Sequence, residues 1–381
     1  MQLSASRILT THVGSLPRPA ELEALLLRRE KGGLAPQDES RLPRIVADAV
    51  QAVVSRQAAL GIDIVCDGEM SKYAYATYAR ERMTGLEGED QPLALSELAE
   101  FPNFAQRIKL DIKTPACVGP VSYRGSEALD NDIDNLKAAV DAADVEAAFM
   151  SASSPGIMSH YMPNRHYASQ DVYLEALADA MKHEYDAIAA AGLLLQIDCP
   201  DLALGRHFRA APLGVAEFRS EIARLVEVLN HALRDIPPER MRLHLCWGNY
   251  ESPHHHDIEL SLILDLLLKV RPAALLMEAA NPRHAHEWAV FKETPLPDEK
   301  VLVPGVIDTC TNYIEHPEVV AQHIERYANV VGRERVIAGT DCGFASFATL
   351  HTVDPDIAWR KLEALVQGAE IASRRLWSIN G

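Results

Sequence analysis

The chain has 381 residues, 48% of them hydrophobic, enough to bury a large core in one elaborated domain without small-domain devices. Its formal charge of -17 excludes a nucleic-acid backbone or an anionic membrane as the main partner, because both attract basic surfaces, and leaves a small molecule as the expected one. Six cysteines are too sparse for a disulfide scaffold, no basic-then-apolar leader precedes Thr10, and no apolar run reaches the roughly 18 residues of a membrane span, so a soluble cytoplasmic protein with reduced thiols is expected.

The first sixty residues carry Thr11-His12-Val13-Gly14-Ser15-Leu16-Pro17-Arg18-Pro19 and one helix expected over 43–60. They read as an N-terminal extension (1–60) packed on the main body. Eight short apolar runs follow, at 62–66, 116–121, 149–153, 193–198, 241–246, 273–278, 301–306 and 336–340. The polar, weakly periodic stretch 82–115 reads as an excursion after the first of them. Helical patterns separate most of the runs. In 171–191, Leu174, Leu177, Met181, Tyr185 and Ile188 recur at steps of three and four before Gly192 ends the pattern, and others cover 216–233 and 317–331. Strand alternating with helix predicts an α/β fold with a parallel sheet, and eight repeats predict closure into a (β/α)8 TIM barrel, a single domain over 1–381. No Gly-x-Gly-x-x-Gly follows the first run, which argues against a dinucleotide-binding sheet.

Four residues with metal-ligand chemistry end runs in the C-terminal half. His244 and Cys246 stand at i and i+2, so both project from one face of a strand. Glu278 closes the run 273–278, and Cys342 follows the last run. The spacing puts these residues on the fifth, sixth and eighth strands, at one mouth of the barrel. Two thiolates, an imidazole and a carboxylate suit tetrahedral zinc. The set also admits two plainer readings: a closed structural site, or cysteines that are only small buried hydrophobes. Charge indicates the chemistry. Two thiolates and a carboxylate more than neutralise the dication, leaving about -1 in total and a weak Lewis acid. Such an ion suits the binding and deprotonation of a thiol, whose free pKa is about 8.5, better than the activation of water. Glu278, the only oxygen donor, is expected to loosen and admit the substrate sulfur, in an alkyl transfer to a thiol.

At Val13-Gly14-Ser15, Asp67-Gly68-Glu69, Gln196-Ile197-Asp198, His244-x-Cys246, Glu278 and Asp341-Cys342-Gly343 the chain resembles the catalytic half of the cobalamin-independent methionine synthase family, zinc barrel enzymes that methylate homocysteine. The resemblance implies that Val13, Gly14, Ser15 and Glu69 hold the carboxylate and amine of the amino acid, and that Asp198 contacts the same amine. Three departures stand out. The long N-terminal half of full-length members has no counterpart in this sequence; Leu204 stands where the family sets an acidic residue against the folate pterin; and Cys310 stands where it has a proton-donating histidine. The pattern is also similar to short zinc relatives such as epoxyalkane:coenzyme M transferase, in which Asp308 or a nearby hydroxyl would serve a developing alkoxide. Asp308 and Cys310 are therefore the candidate catalytic residues. Methyl-folate, a corrinoid protein and an epoxide all remain open as donors. Glu69 and Asp198, which suit an amino group, favour homocysteine as the acceptor.

Two other clusters carry less. His254-His255-His256 reads as a solvated loop, since three consecutive side chains cannot all converge on one ion. Ser153-Ser154-Pro155-Gly156, with His160, Tyr161, Arg165 and His166, reads as a polar insertion at the mouth. No Gly-x-Ser-x-Gly elbow supports a serine hydrolase.

Overall fold

The computed structural model describes residues 3–92, 95–108, 113–208, 211–348 and 351–378. Eight short strands run parallel: β1 (Leu9–Thr10), β2 (Ile64–Val65), β3 (Ala147–Ser153), β4 (Leu194–Asp198), β5 (Met241–His244), β6 (Ala274–Glu278), β7 (Val301–Gly305) and β8 (Ile337–Ala338). Strands β2 to β7 form one six-stranded sheet in chain order, and β1 pairs with β8. Single parallel bridges connect the two groups, Thr11 with Ile64 on one side and Leu302 with Val336 and Gly305 with Gly339 on the other. The molecule is thus an α/β fold around a curled parallel sheet. Side-chain alternation divides the interior into two apolar layers. Leu9, Ile64, Phe149, Ala274, Leu276, Val301, Val303 and Ile337 pack in an inner core on the concave side. Their neighbours Leu275, Met277 and Leu302 join the larger core beneath the helices.

The helices follow their expected periods. α1 (Ala20–Glu30) and α2 (Pro36–Leu60) precede β2; α3 (Ser126–Asp141), α4 (Pro155–Tyr161), α5 (Gln170–Ala190) and α6 (Val215–Ala232) lie between strands; α7 (Pro317–Val331) precedes β8 and α8 (Pro355–Trp377) follows it. Ser169 caps α5 by accepting the Val172 N–H, and Asp354 caps α8 through the N–H groups of Asp356 and Ile357. Among the described residues, no helix is long and apolar enough to cross a membrane.

The structure corrects two expectations about the strands. The run 116–121 is not a strand of the sheet. Gly119 and Pro120 interrupt it, proline has no N–H to donate to a ladder, and Cys117 instead exchanges backbone bonds with Pro163 and Arg165. Its place among the eight is taken by β1, from the segment expected to be an extension; residues 1–60 therefore do more than pack on the outside. Two residues are too few to show a period of two, and the partner of Leu9 is Ile337. Helix α2 also begins at Pro36, not near Pro43, because its buried face of Leu42, Val46, Ala49, Val50 and Val53 continues through the proline. The excursion after β2 contains a short antiparallel pair, Gln91–Pro92 with Lys113–Thr114, and a 3-10 turn at Ser96–Glu100. Its residues 93–94 and 109–112 lie outside the described residues.

Candidate active site

The C-terminal ends of the strands carry the site, as parallel β/α folds favour. Asp198 ends β4, His244 ends β5, Glu278 ends β6, and Cys342 lies four residues beyond β8. Cys246 Sγ lies 3.8 Å from Cys342 Sγ. One ring nitrogen of His244 joins them, so that three buried donor atoms lie within 4.8 Å of one another. The Nδ1 of His244 is 3.1 Å from Asp198 Oδ1, while its Nε2 is buried without a hydrogen-bond partner. Sharing a hydrogen bond with Cys342, together with burial, pushes the Cys246 thiol well above its ordinary value. Burial alone would lower the His244 imidazole, but its hydrogen bond to Asp198 and the neighbouring Cys246 prevail and raise it to about 10. The cluster favours positive charge at its centre, and a soft divalent ion would supply it.

Glu278, the expected fourth ligand, lies outside the group of three donor atoms. Its Oε1 accepts the Trp247 N–H at 2.7 Å, and its Oε2 accepts from Asn281 Nδ2 at 2.7 Å. Both oxygens are satisfied, and the side chain stands beside the three-donor cluster rather than in it. Asp341 holds this arrangement. Its Oδ1 accepts the N–H groups of Ala279 and Ala280 at 2.8 and 2.9 Å, and its Oδ2 that of Asn281 at 2.9 Å. The residue before Cys342 thereby fixes the turn that follows Glu278. Sequence reasoning counted Asp341 in the motif but gave it no task.

An open pocket of about 850 Å³ faces the cluster. It is lined by Val13, Ser15, Glu69, Asp198, His244, Cys246 and Cys342, seven of the residues singled out from the sequence, and by Leu204. Glu69 has a left-handed backbone, φ 59°, a costly conformation for a residue with a side chain. Asp67 Oδ1 accepts its N–H at 2.9 Å, and Arg18 donates to its carbonyl from Nε and Nη2 at 3.2 and 2.9 Å. Held there, Glu69 Oε1 accepts from Ser151 at 2.8 Å, whereas Oε2 is buried and unpaired. Burial pushes this carboxyl above its ordinary range. Gly14 lies against it; a Cβ there would stand 3.0 Å from Glu69 Oε1. Ser15 is locked to the segment after Cys342, its carbonyl accepting the Phe344 N–H at 2.9 Å and its Oγ the Ala345 N–H at 3.3 Å. A Cβ on Gly343 would stand 2.1 Å from Ser15 Oγ, so a side chain there would displace the Ser15 hydroxyl. The two bonds to Asp198, from Gln196 Nε2 and His244 Nδ1, both fall on Oδ1.

Asp308 and Cys310 lie on the other side, with Glu278 and Cys342, around a second hollow of about 580 Å³. Asp308 Oδ1 accepts the Cys310 N–H at 2.7 Å and Oδ2 accepts from Thr311 Oγ1 at 2.8 Å, a closed local turn. Cys310 Sγ donates to Asn249 Oδ1 at 3.3 Å, and burial raises its thiol well above the ordinary value. His254 also lines this hollow, but its Nδ1 is 3.0 Å from Asp257 Oδ2. Of the polar insertion, Tyr161 lines the first pocket and His160 stacks on Phe208, while Arg165 and His166 line neither. Ser154 is the cap of α4. Sequence reasoning missed Tyr75, whose hydroxyl donates to that of Tyr161 at 3.1 Å within the same pocket, and Phe208 and Phe347, which are also in its wall. They sit in loops where no period marks them.

A family model described as the catalytic domain of cobalamin-independent synthase matches residues 8–96 and 156–370. The methionine synthase of Thermococcus kodakarensis is 26% identical over 368 residues, covering 96% of this chain and 94% of that protein. That of Saccharolobus solfataricus is 24% identical, covering 96% and 95%. Among solved structures, a B12-independent methionine synthase from Shewanella sp. W3-18-1 in complex with selenomethionine superposes with a TM-score of 0.75 at 21% identity, covering 98% of this chain and 100% of that one. A donor carried on a corrinoid protein gains no support from a family described as cobalamin-independent. The chain belongs to the cobalamin-independent methionine synthase family.

Proposed function

We propose that the eight parallel strands form a closed (β/α)8 barrel whose C-terminal mouth is the site of a zinc-dependent methyltransferase, with homocysteine as the methyl acceptor. One observation carries this reading: a single pocket contains two buried, unpaired atoms of opposite need, Glu69 Oε2 and His244 Nε2. The first needs a hydrogen-bond donor and suits an ammonium group; the second, beside two thiols, suits a metal ion. An amino acid bearing a thiol meets the first need directly and brings its sulfur to the second.

His244, Cys246 and Cys342 would hold zinc, and the ion, when bound, would make the substrate thiolate available at neutral pH. Asp198 Oδ1 fixes the His244 ring through Nδ1 and so aims Nε2 at the cysteines, the usual work of a carboxylate behind a metal-binding histidine. Glu69 and Asp198 Oδ2 take the ammonium, and Ser15 donates to the carboxylate. Val13 and Gly14 shape this end: the Val13 carbonyl accepts from Gln196, and Gly14 leaves room for Glu69. Glu278, tied to Trp247 and Asn281, is the residue able to enter or leave the donor set, because exchanging one hydrogen bond for a metal bond needs no change of strand. The apolar wall of Leu204, Phe208, Phe347 and Tyr161 receives the methyl donor and excludes water.

An amino-group site favours homocysteine over a sulfonate thiol, and hence methyl transfer over addition to an epoxide. The test has two arms. X-ray absorption at the zinc edge is expected to gain a sulfur neighbour at about 2.3 Å when homocysteine is added. Methyl transfer from methyl-folate to homocysteine, followed as methionine by mass spectrometry, should far exceed transfer to 2-mercaptoethanesulfonate. An unchanged zinc edge, or a preference for the sulfonate, overturns the reading.

A further inference from the structure

Glu100, His255 and His256 meet at the rim of the mouth from two separate elements. Glu100 ends the 3-10 turn Ser96–Glu100 of the excursion, and the two histidines lie in the loop that follows β5. His255 Nε2 is 3.1 Å from Glu100 Oε2, and His256 Nε2 meets Glu100 Oε1. All three donor atoms lie within 4.8 Å of one another, and the imidazoles stack with centroids 4.0 Å apart and planes at 35°. Three consecutive histidines do not converge on one point, but two of them do: His254 turns away to Asp257. A single dication among the three donors would be shared by both rings and the carboxylate at one point.

The ion would join two segments that already touch. Glu97, fully buried, accepts from the hydroxyls of Tyr250 and Ser252 through Oε1 and from the His254 N–H at 3.0 Å through Oε2. The Phe101 ring packs edge-on against His255, with centroids 5.3 Å apart. Leu95, at the start of the turn, lines the large pocket, and Tyr250 lines both hollows. Whatever holds Ser96–Glu100 on the loop after β5 therefore holds part of the wall of the active-site mouth.

We propose that Glu100, His255 and His256 form a second metal site, for a divalent transition ion such as zinc or nickel, that fastens the excursion to the loop after β5 and keeps the rim closed. Two imidazoles and a carboxylate are borderline ligands that suit such ions, and a water completes a tetrahedron. Donors about 2.1 Å from a tetrahedral ion stand about 3.4 Å apart. The donor atoms already lie within 4.8 Å of one another, and Glu100 and His255 are exposed, so the side chains can adjust to that spacing without moving the backbone.

The test uses the full chain and zinc alone. After equilibrium dialysis against micromolar zinc, metal analysis should find two ions per chain in the parent protein and one in H255A/H256A and in E100Q. Hydrogen exchange over 95–101 should slow on zinc addition in the parent and in C246S, and stay unchanged in H255A/H256A. The inference is overturned if H255A/H256A binds as much zinc as the parent, or if zinc leaves exchange over 95–101 unaltered in the parent. C246S separates this site from the active-site reading. It should lose the buried ion and retain the rim ion, and retention of both counts against the thiolate site while H255A/H256A alone decides the rim site.

Discussion

The two hollows that share Cys342 differ in how their polar groups are occupied. On the side of Glu69 and His244, buried atoms lack partners; on the side of Glu278, Asp308 and Cys310, every candidate group is already bonded to a neighbour. Leaving a buried polar atom unpaired costs about 1–3 kcal/mol, so two of them in one pocket favour a ligand there that pairs with both. The difference separates residues that await a ligand from residues that hold a loop together. Under the proposed function, the weight of the chemistry lies with Glu69, Asp198 and the three-donor cluster rather than with Asp308 and Cys310.

The sharpest way to break this comparison is to remove a donor. Cys246→Ser and Cys342→Ser should each lose the buried metal and bring methionine formation to background, by metal analysis and product assay; retained activity in both would place the reaction elsewhere. Glu69→Gln tests the unpaired carboxylate. Losing a charged hydrogen bond of about 1.5–3 kcal/mol should lower kcat/KM for homocysteine roughly ten- to hundredfold, mostly through KM. An unchanged KM would remove the ammonium from that position.

A third test lies behind the second hollow, where His254 and His284 both bond to Asp257 Oδ2 at 3.0 and 3.1 Å. Burial opposes charge on either ring, yet Asp257 prevails, with Glu287 adding to it for His284, so that His254 is raised to about 9 and His284 to about 10. The unfolded chain loses these protons near pH 6.5 and the folded one retains them. The stabilisation is thus fully present below about pH 6.5 and is lost as pH rises through 9 to 10. Thermal unfolding from pH 6 to 10 should show this decline in the parent and a shallower one in His284→Gln; parallel curves would assign the protons elsewhere. The smallest effect is expected at the closed turn. Asp308→Asn and Cys310→Ser each disturb one neutral or local hydrogen bond of about 1 kcal/mol and should change kcat/KM by no more than about fivefold. A hundredfold loss at either would return the chemistry to that side.

Much of the fold was legible because its signals are local. Apolar runs and three- and four-residue periods marked β2 to β8 and the long helices, and residues at run ends marked the C-terminal ends of the strands. The first strand was not, since β1 is two residues long and is a strand only by virtue of Ile337 and Ala338 beside it. Counting 116–121 in place of β1 left the ligands on the fifth, sixth and eighth strands all the same. Of the candidate site, the sequence brought these residues to one rim but could not say which of them were already engaged.

By itself, then, the sequence determined the alternation of strand and helix, the donor types at the strand ends and the family to which they belong. Only the tertiary structure decided that Glu278 stands back on Trp247 and Asn281, that Asp308 and Cys310 close on their own turn, and that three adjacent histidines divide between Asp257 and Glu100. The reason is physical. Periodicity is a property of neighbours in the chain, whereas the satisfaction of a buried polar atom depends on whichever donor or acceptor the fold brings against it from elsewhere.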